Sequence, residues 1–242
     1  MADAQALLHF IIQNLPHAAL LVLVGVVLVL MAKDVINGMR RPFLRADRWQ
    51  ALQLVDRVEL THNTRRFRFA LPHADQLLGL PLGQHITLKA ALPGGADVMR
   101  PYTPTSSVRQ RGHVDFVVKV YPEGKMSRAM DALPLGGSLW FKGPRGRFAY
   151  APGARRAYGM LAGGTGITPM FQLAQEMLRD NNDATTLSLI FANVAEEDIL
   201  LRAELDAMAR RCPARLAVRY VLNQPPPGWA GGVGFISADM IR

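Results

Sequence analysis

The sequence predicts an apolar N-terminal helix followed by an all-β barrel domain and then an α/β domain with a doubly wound parallel sheet. Three observations carry this. Residues 18–32 read AALLVLVGVVLVLMA, with no polar side chain. From Trp49 to about residue 152, short alternating apolar runs are separated by Gly and Pro turns, the texture of a small sandwich or barrel. Beyond residue 153, short apolar strands alternate with helix-like runs, which implies a parallel sheet.

The apolar run is about 22 Å of helix, short of a hydrocarbon core of ~30 Å. Extending it back through Leu7, Leu8, Phe10, Ile11 and Ile12 supplies the length, at the cost of Gln13, Asn14, Pro16 and His17. A cleaved signal peptide would carry positive charge before its apolar core. Here Asp3 precedes the run without Lys or Arg, and Lys33, Arg40, Arg41 and Arg45 follow it. The expectation is a retained membrane anchor over residues 1–33 with the body on the cytosolic side. A buried core helix is the alternative. The endoplasmic reticulum and the mitochondrial outer membrane suit the anchor equally. Residues 34–48, with Gly38, Pro42 and several arginines, read as a basic linker.

The chain has 242 residues and a formal net charge of +9. That balance points to an anionic membrane or an acidic partner. No Lys/Arg tract interleaved with aromatics is present, so nucleic acid is not expected. Cys212 is the one cysteine, which excludes an internal disulfide framework and a cysteine-rich metal site. No metal is expected, and the chain is expected to be a monomer.

In the barrel domain, residues 49–152, Leu52, Leu54, Val58 and Leu60 mark a first strand and Phe67 and Phe69 a second. Residues 86–88, 114–121 and 138–141 continue the series, with turns at 92–95 and 142–144. In the α/β domain, residues 153–242, strands are expected at 158–162, 186–191 and 215–222. Helices are expected at 169–179 and 198–211, the second with Ile199, Leu200, Leu205 and Met208 on one face.

Three segments carry chemistry. Arg100-Pro101-Tyr102-Thr103 offers a guanidinium, a phenol and a hydroxyl on an extended backbone, with Arg100 and Tyr102 on one strand face. An arginine so placed can clamp a pyrophosphate; an edge strand with a surface arginine is the plainer reading. Gly124-Lys125-Met126-Ser127 precedes a helical stretch, 128–133, so its amides, with Ser127 as cap, form a candidate anion site or simply a capped helix. Gly163-Gly164-Thr165-Gly166 lies between a strand and a helix that begins near Pro169. That is the context in which glycines let a backbone approach a dinucleotide phosphate.

RPYTPTSS, GKMS, GPRGRF, LAGGTGITPM and FANVAEEDILL occur here in the order found in NADH–cytochrome b5 reductases, within the wider ferredoxin-reductase-like superfamily, and Gly83-Gln84-His85-Ile86 also matches a barrel segment. The chain resembles that family over roughly residues 49–242. The resemblance implies a six-stranded flavin barrel, a nicotinamide domain, non-covalent FAD, NADH as donor, and cytochrome b5 or another acidic haem protein as acceptor. By that resemblance Arg100 grips the FAD pyrophosphate, and Tyr102 and Thr103 flank the isoalloxazine ring beside Pro101. Val117 and Lys119 line the cofactor, and Gly124, Lys125, Met126 and Ser127 form its phosphate loop. Thr168, next to Pro169, reaches FAD from the second domain, while Gly163, Gly164, Thr165 and Gly166 meet NADH. No side chain is expected as a general acid or base, because the chemistry belongs to the cofactor.

The sequence departs from the family at its end. The family continues with a further strand ending in Cys-Gly-Pro-Pro, whereas this sequence ends at Arg242, and Cys212 is followed by Pro213-Ala214. A C-terminally truncated α/β domain is therefore expected, with the strand at 158–162 left at the sheet edge. The alternative function is an FAD-binding or interaction form with little NADH turnover. A flavin module of a larger, nitrate-reductase-like chain is a third reading, against which the N-terminal anchor stands.

Overall fold

The computed structural model describes residues 17–92 and 94–242, giving only the backbone of residues 17, 18 and 32–40. The chain forms two compact units that meet in sequence between Arg41 and Pro42.

The first unit contains one described element, helix α1 (His17–Arg40). Its run from Leu21 to Met31 exposes its large apolar side chains. The helix continues through residues 34–40, where the composition suggested a linker. Among the described residues no helix is long and apolar enough to cross a membrane. The first sixteen residues of the expected anchor lie outside the described residues.

The second unit begins with a six-stranded antiparallel sheet. Its strands are β1 (Gln50–Thr61), β2 (Thr64–Ala70), β3 (His85–Ala91), β4 (Asp97–Tyr102), β5 (His113–Lys119) and β6 (Ser138–Arg145), in the order β4-β3-β6-β1-β2-β5. The alternation of apolar and polar residues decides which face turns inward. Leu52 and Leu54, Phe67 and Phe69, Ile86 and Leu88, and Leu139 and Phe141 all point to one core. Phe69 meets Phe116 and Phe141 edge-on at centroid distances of 6.2 and 5.2 Å, a geometry that adds to burial alone. Just beyond β4, the Thr105 N–H donates to the Asp115 carbonyl on β5 at 2.9 Å, so the outer strands converge and the sheet curls toward closure. Helix α2 (Lys125–Asp131) plugs this core with Met126 and Met130.

The α/β layer follows. Strands β7 (Ala157–Gly163), β8 (Thr186–Asn193), β9 (Leu216–Leu222) and β10 (Gly232–Val233) are parallel, in the order β10-β9-β8-β7. Helix α3 (Ile167–Met177) connects β7 to β8, α4 (Arg202–Arg211) connects β8 to β9, and the short α5 (Ala238–Ile241) ends the chain. Among the described residues β7 is an edge strand of this sheet.

The expected helix over 198–211 is shorter than its apolar pattern. A single 3-10 turn at Glu196–Asp198 comes first, Ile199 is extended, and Leu201 takes the left-handed conformation at φ 56°. Helix α4 therefore starts only at Arg202. Ile199, Leu200 and Leu205 are still buried, because the core selects apolar side chains whatever backbone presents them.

Candidate functional site

A cleft of about 790 Å³ opens between the barrel and the α/β layer, within the range of small-molecule sites. Four segments build it.

The first is the end of β4, from which Arg100, Pro101, Tyr102 and Thr103 all line the cleft. Proline lacks an N–H and is confined to sheet edges, and β4 is an edge, paired only with β3. Arg100 and Tyr102 lie opposite Leu88 and Ile86 and share a strand face, as the sequence predicts. Tyr102 packs edge-on against Phe116 at 6.3 Å. Burial pushes its phenol above the ordinary tyrosine range, partly opposed by the Arg100 charge.

The second is the end of β5, which contributes Val117, Val118 and Lys119. Lys119 Nζ lies 2.6 Å from Asp198 Oδ1, an ion pair that spans the barrel and the α/β layer. The hydrogen bond from Lys119 holds the Asp198 carboxyl below its usual range.

The third is the start of α2, with Gly124, Lys125, Met126 and Ser127. Gly124, not Ser127, occupies the cap position, and the helix begins at Lys125 rather than at Arg128. The Ser127 hydroxyl donates to the Gly124 carbonyl at 3.2 Å and accepts the Tyr121 N–H at 3.3 Å. It folds back on the loop so tightly that a Cβ on Gly124 would lie 2.2 Å from it.

The fourth is the turn after β7. Thr165, Thr168 and Pro169 line the cleft, whereas Gly163, Gly164 and Gly166 do not. These three glycines instead present open backbone, with no atom within 4 Å of an added Cβ, and Gly164 adopts φ 49°. Beside them Asn193 ends β8, one register step beyond the Gly163–Ala192 pair. Its side-chain amide is buried with neither polar atom bonded, an expensive arrangement unless a ligand completes it.

Gly83, His85, Tyr121 and Glu123 also line the cleft. Gly83 and His85 fall in the barrel segment that the resemblance pointed to. Tyr121 and Glu123 lie just before the Gly124–Ser127 segment, and their spacing carries no separate signal.

Further contacts join the two layers. The Gly83 N–H donates to Gln172 Oε1 at 3.0 Å. Glu176, with a side chain only 5% exposed, accepts the Ser107 hydroxyl and pairs with Arg109 Nε at 3.3 Å. Among the described residues no cluster could hold a metal ion.

Residues 51–150 match the oxidoreductase FAD-binding domain and residues 160–242 the oxidoreductase NAD-binding domain. The chain is 51% identical to NADH-cytochrome b5 reductase 1 of Dictyostelium discoideum, over 80% of this chain and 67% of that protein. It is 47% identical to NADH--cytochrome b5 reductase 1 of Arabidopsis thaliana, over 84% of this chain and 72% of that one. Among solved structures, the cytochrome b5 reductase domain of Ulva prolifera nitrate reductase superposes with a TM-score of 0.79 at 40% identity, covering 83% of each chain. The CS-b5R domains of human Ncb5or in the NAD+ form superpose at 0.69 with 29% identity, over 80% of this chain and 57% of that one.

Proposed function

The chain belongs to the NADH–cytochrome b5 reductase family of FAD- and NAD-binding oxidoreductases, and from that premise we propose that it takes hydride from NADH and passes electrons singly to cytochrome b5 or a similar haem protein. The observation that carries this reading is the cleft. It gathers RPYT, the GKMS loop and the Thr168 turn, which lie far apart in sequence, around one space.

The residues present fit a flavin dinucleotide. Arg100 and Lys125 bring positive charge for a pyrophosphate. Gly124 and the open backbone of the glycine turn allow the close approach that phosphate or ribose needs. Tyr102, Val117 and Met126 offer flat or apolar surface for a ring. The unbonded Asn193 amide and the exposed glycines lie at the C-terminal ends of β7 and β8, where ligands of parallel α/β sheets sit. FAD, when bound, supplies the conversion between two-electron and one-electron transfer. The protein orients the two rings and shields them from water, and no protein group has to move a proton.

The ties across the cleft support the same reading. Lys119–Asp198, Gly83–Gln172 and Ser107–Glu176 hold the two layers at a fixed approach. Hydride transfer demands such fixed geometry between reacting atoms.

One observation favours a second reading, FAD binding with little NADH turnover. Strand β7 lies at the edge of the described sheet with Leu161 47% exposed, so among the described residues it has one strand neighbour, β8. Anaerobic NADH titration of the flavin-loaded protein separates the two. Stoichiometric bleaching of flavin absorbance supports the reductase reading, and bound flavin that stays oxidised supports the second.

The exposed apolar side chains of α1 and the basic residues that follow them support attachment to a membrane, with the body on the cytosolic side.

A further inference from the structure

The outer face of the barrel, away from both the cleft and the core, carries an aromatic and cationic lattice that the reductase chemistry does not use. Strand register sets it out. Lys89 on β3 lies opposite Trp140 on β6 and opposite Met99 on β4, and Trp140 lies opposite Ala51 on β1. Trp49 sits immediately before β1. The Lys89 ammonium stands 5.3 Å from the Trp49 ring and 5.8 Å from the Trp140 ring, and the Lys142 ammonium stands 5.7 Å from Trp49. Trp140 is 45% exposed and Met99 48%. Two indoles and a thioether are thus held at the surface beside Lys142, while Lys89 is tied to Asp97 Oδ2 on β4 at 3.1 Å.

We propose that this face seats on an anionic lipid surface. Tryptophan favours the headgroup level because its ring is apolar and its N–H polar. Lys142 can lay its stem along the Trp49 ring and send its charge outward to a phosphate. Two further observations favour lipid over a protein. The face begins at Trp49, directly after the basic stretch containing Arg40, Arg41, Arg45 and Arg48, and that stretch follows the exposed apolar run of α1. The net charge of +9 complements an anionic leaflet. The proposal rests on the membrane attachment inferred above, but adds that the folded body itself touches the surface and that the barrel face does so.

The test uses the full chain with vesicles of brominated phosphatidylcholine, with and without phosphatidylserine. Flotation reports attachment as a whole. Quenching of tryptophan emission by the brominated chains reports this face. The expected result is flotation together with quenching that requires phosphatidylserine. The variant W49F/W140F, which keeps only Trp229, should float equally and lose most of that quenching. K142Q should also float and lose much of it, with both indoles and the Lys89–Asp97 pair still present. Flotation with equal quenching in wild type and W49F/W140F would overturn the proposal and leave the attachment reading intact. Failure to float on either vesicle would overturn both. Tryptophan emission that ignores lipid but shifts on adding an acidic haem protein would assign the face to a protein and overturn the lipid reading.

Discussion

Arg100 and Lys125 reach the cleft from different elements, and among the described residues neither forms an ion pair. Lys119, the third cation of the cleft, is already committed to Asp198. The three should therefore behave differently. Arg100→Ala and Lys125→Ala should each weaken FAD retention about 10–100-fold, the size of a lost charged hydrogen bond or two, as read from the flavin-to-protein ratio after dialysis. Lys119→Met should disturb the approach of the two layers more than flavin content. The Asp198 partnership also has a pH signature. Its folded-state carboxyl titrates below the unfolded value of about 3.9. The stability it lends is therefore fully present above that value and is lost as pH falls through the lower folded value. Denaturant midpoints measured against pH should show Asp198→Asn flattening part of the loss below about pH 4 while leaving the profile between neutral and mildly acidic pH unchanged in shape.

Most strands and helices were legible because their apolar spacing repeats locally. The barrel strands alternate, and α3 buries one face with Ile167, Phe171 and Ala174. The motifs RPYT and GKMS announced themselves through proline, glycine and charge. What stayed hidden depends on pairing between distant segments. His85 reaches the cleft only because β3 runs against β4 with Ile86 opposite Tyr102. Gln172 and Glu176 are buried on α3 at positions that periodicity marks as inward, yet their partners, Gly83 and Ser107, lie in another layer. The start of α4 was misplaced because Leu201 at positive φ leaves no sequence trace; glycine, the usual signal, is absent there.

The barrel and the α/β layer form one compact unit from Pro42 onward, crossed by the Lys119–Asp198 and Arg109–Glu176 ion pairs and by hydrogen bonds from Gly83 to Gln172 and from Ser107 to Glu176. Such a unit should unfold in a single cooperative transition. FAD contacts both layers in the proposed arrangement, so saturating it at ~100 times its dissociation constant should add about 2.7 kcal/mol. For a body of this size that is a rise in Tm of roughly 5–10 °C. Separate melting of the two layers by calorimetry, with FAD shifting only the first, would show that the ties across the cleft are too weak to couple them.

The order β4-β3-β6-β1-β2-β5 has a further meaning for the way the protein is made. The strand that joins the two halves of the barrel, β6, is the last of the six to leave the ribosome. Until Ser138–Arg145 emerges, β1–β2–β5 and β3–β4 are separate ribbons, each with an uncovered apolar side. The α/β sheet has the opposite habit, since β7, β8, β9 and β10 add one beside the next as they appear. The nascent flavin domain therefore waits for its middle, while the nicotinamide domain grows from one side, and the interval before Ser138–Arg145 emerges is the one in which the barrel most needs shelter from other chains.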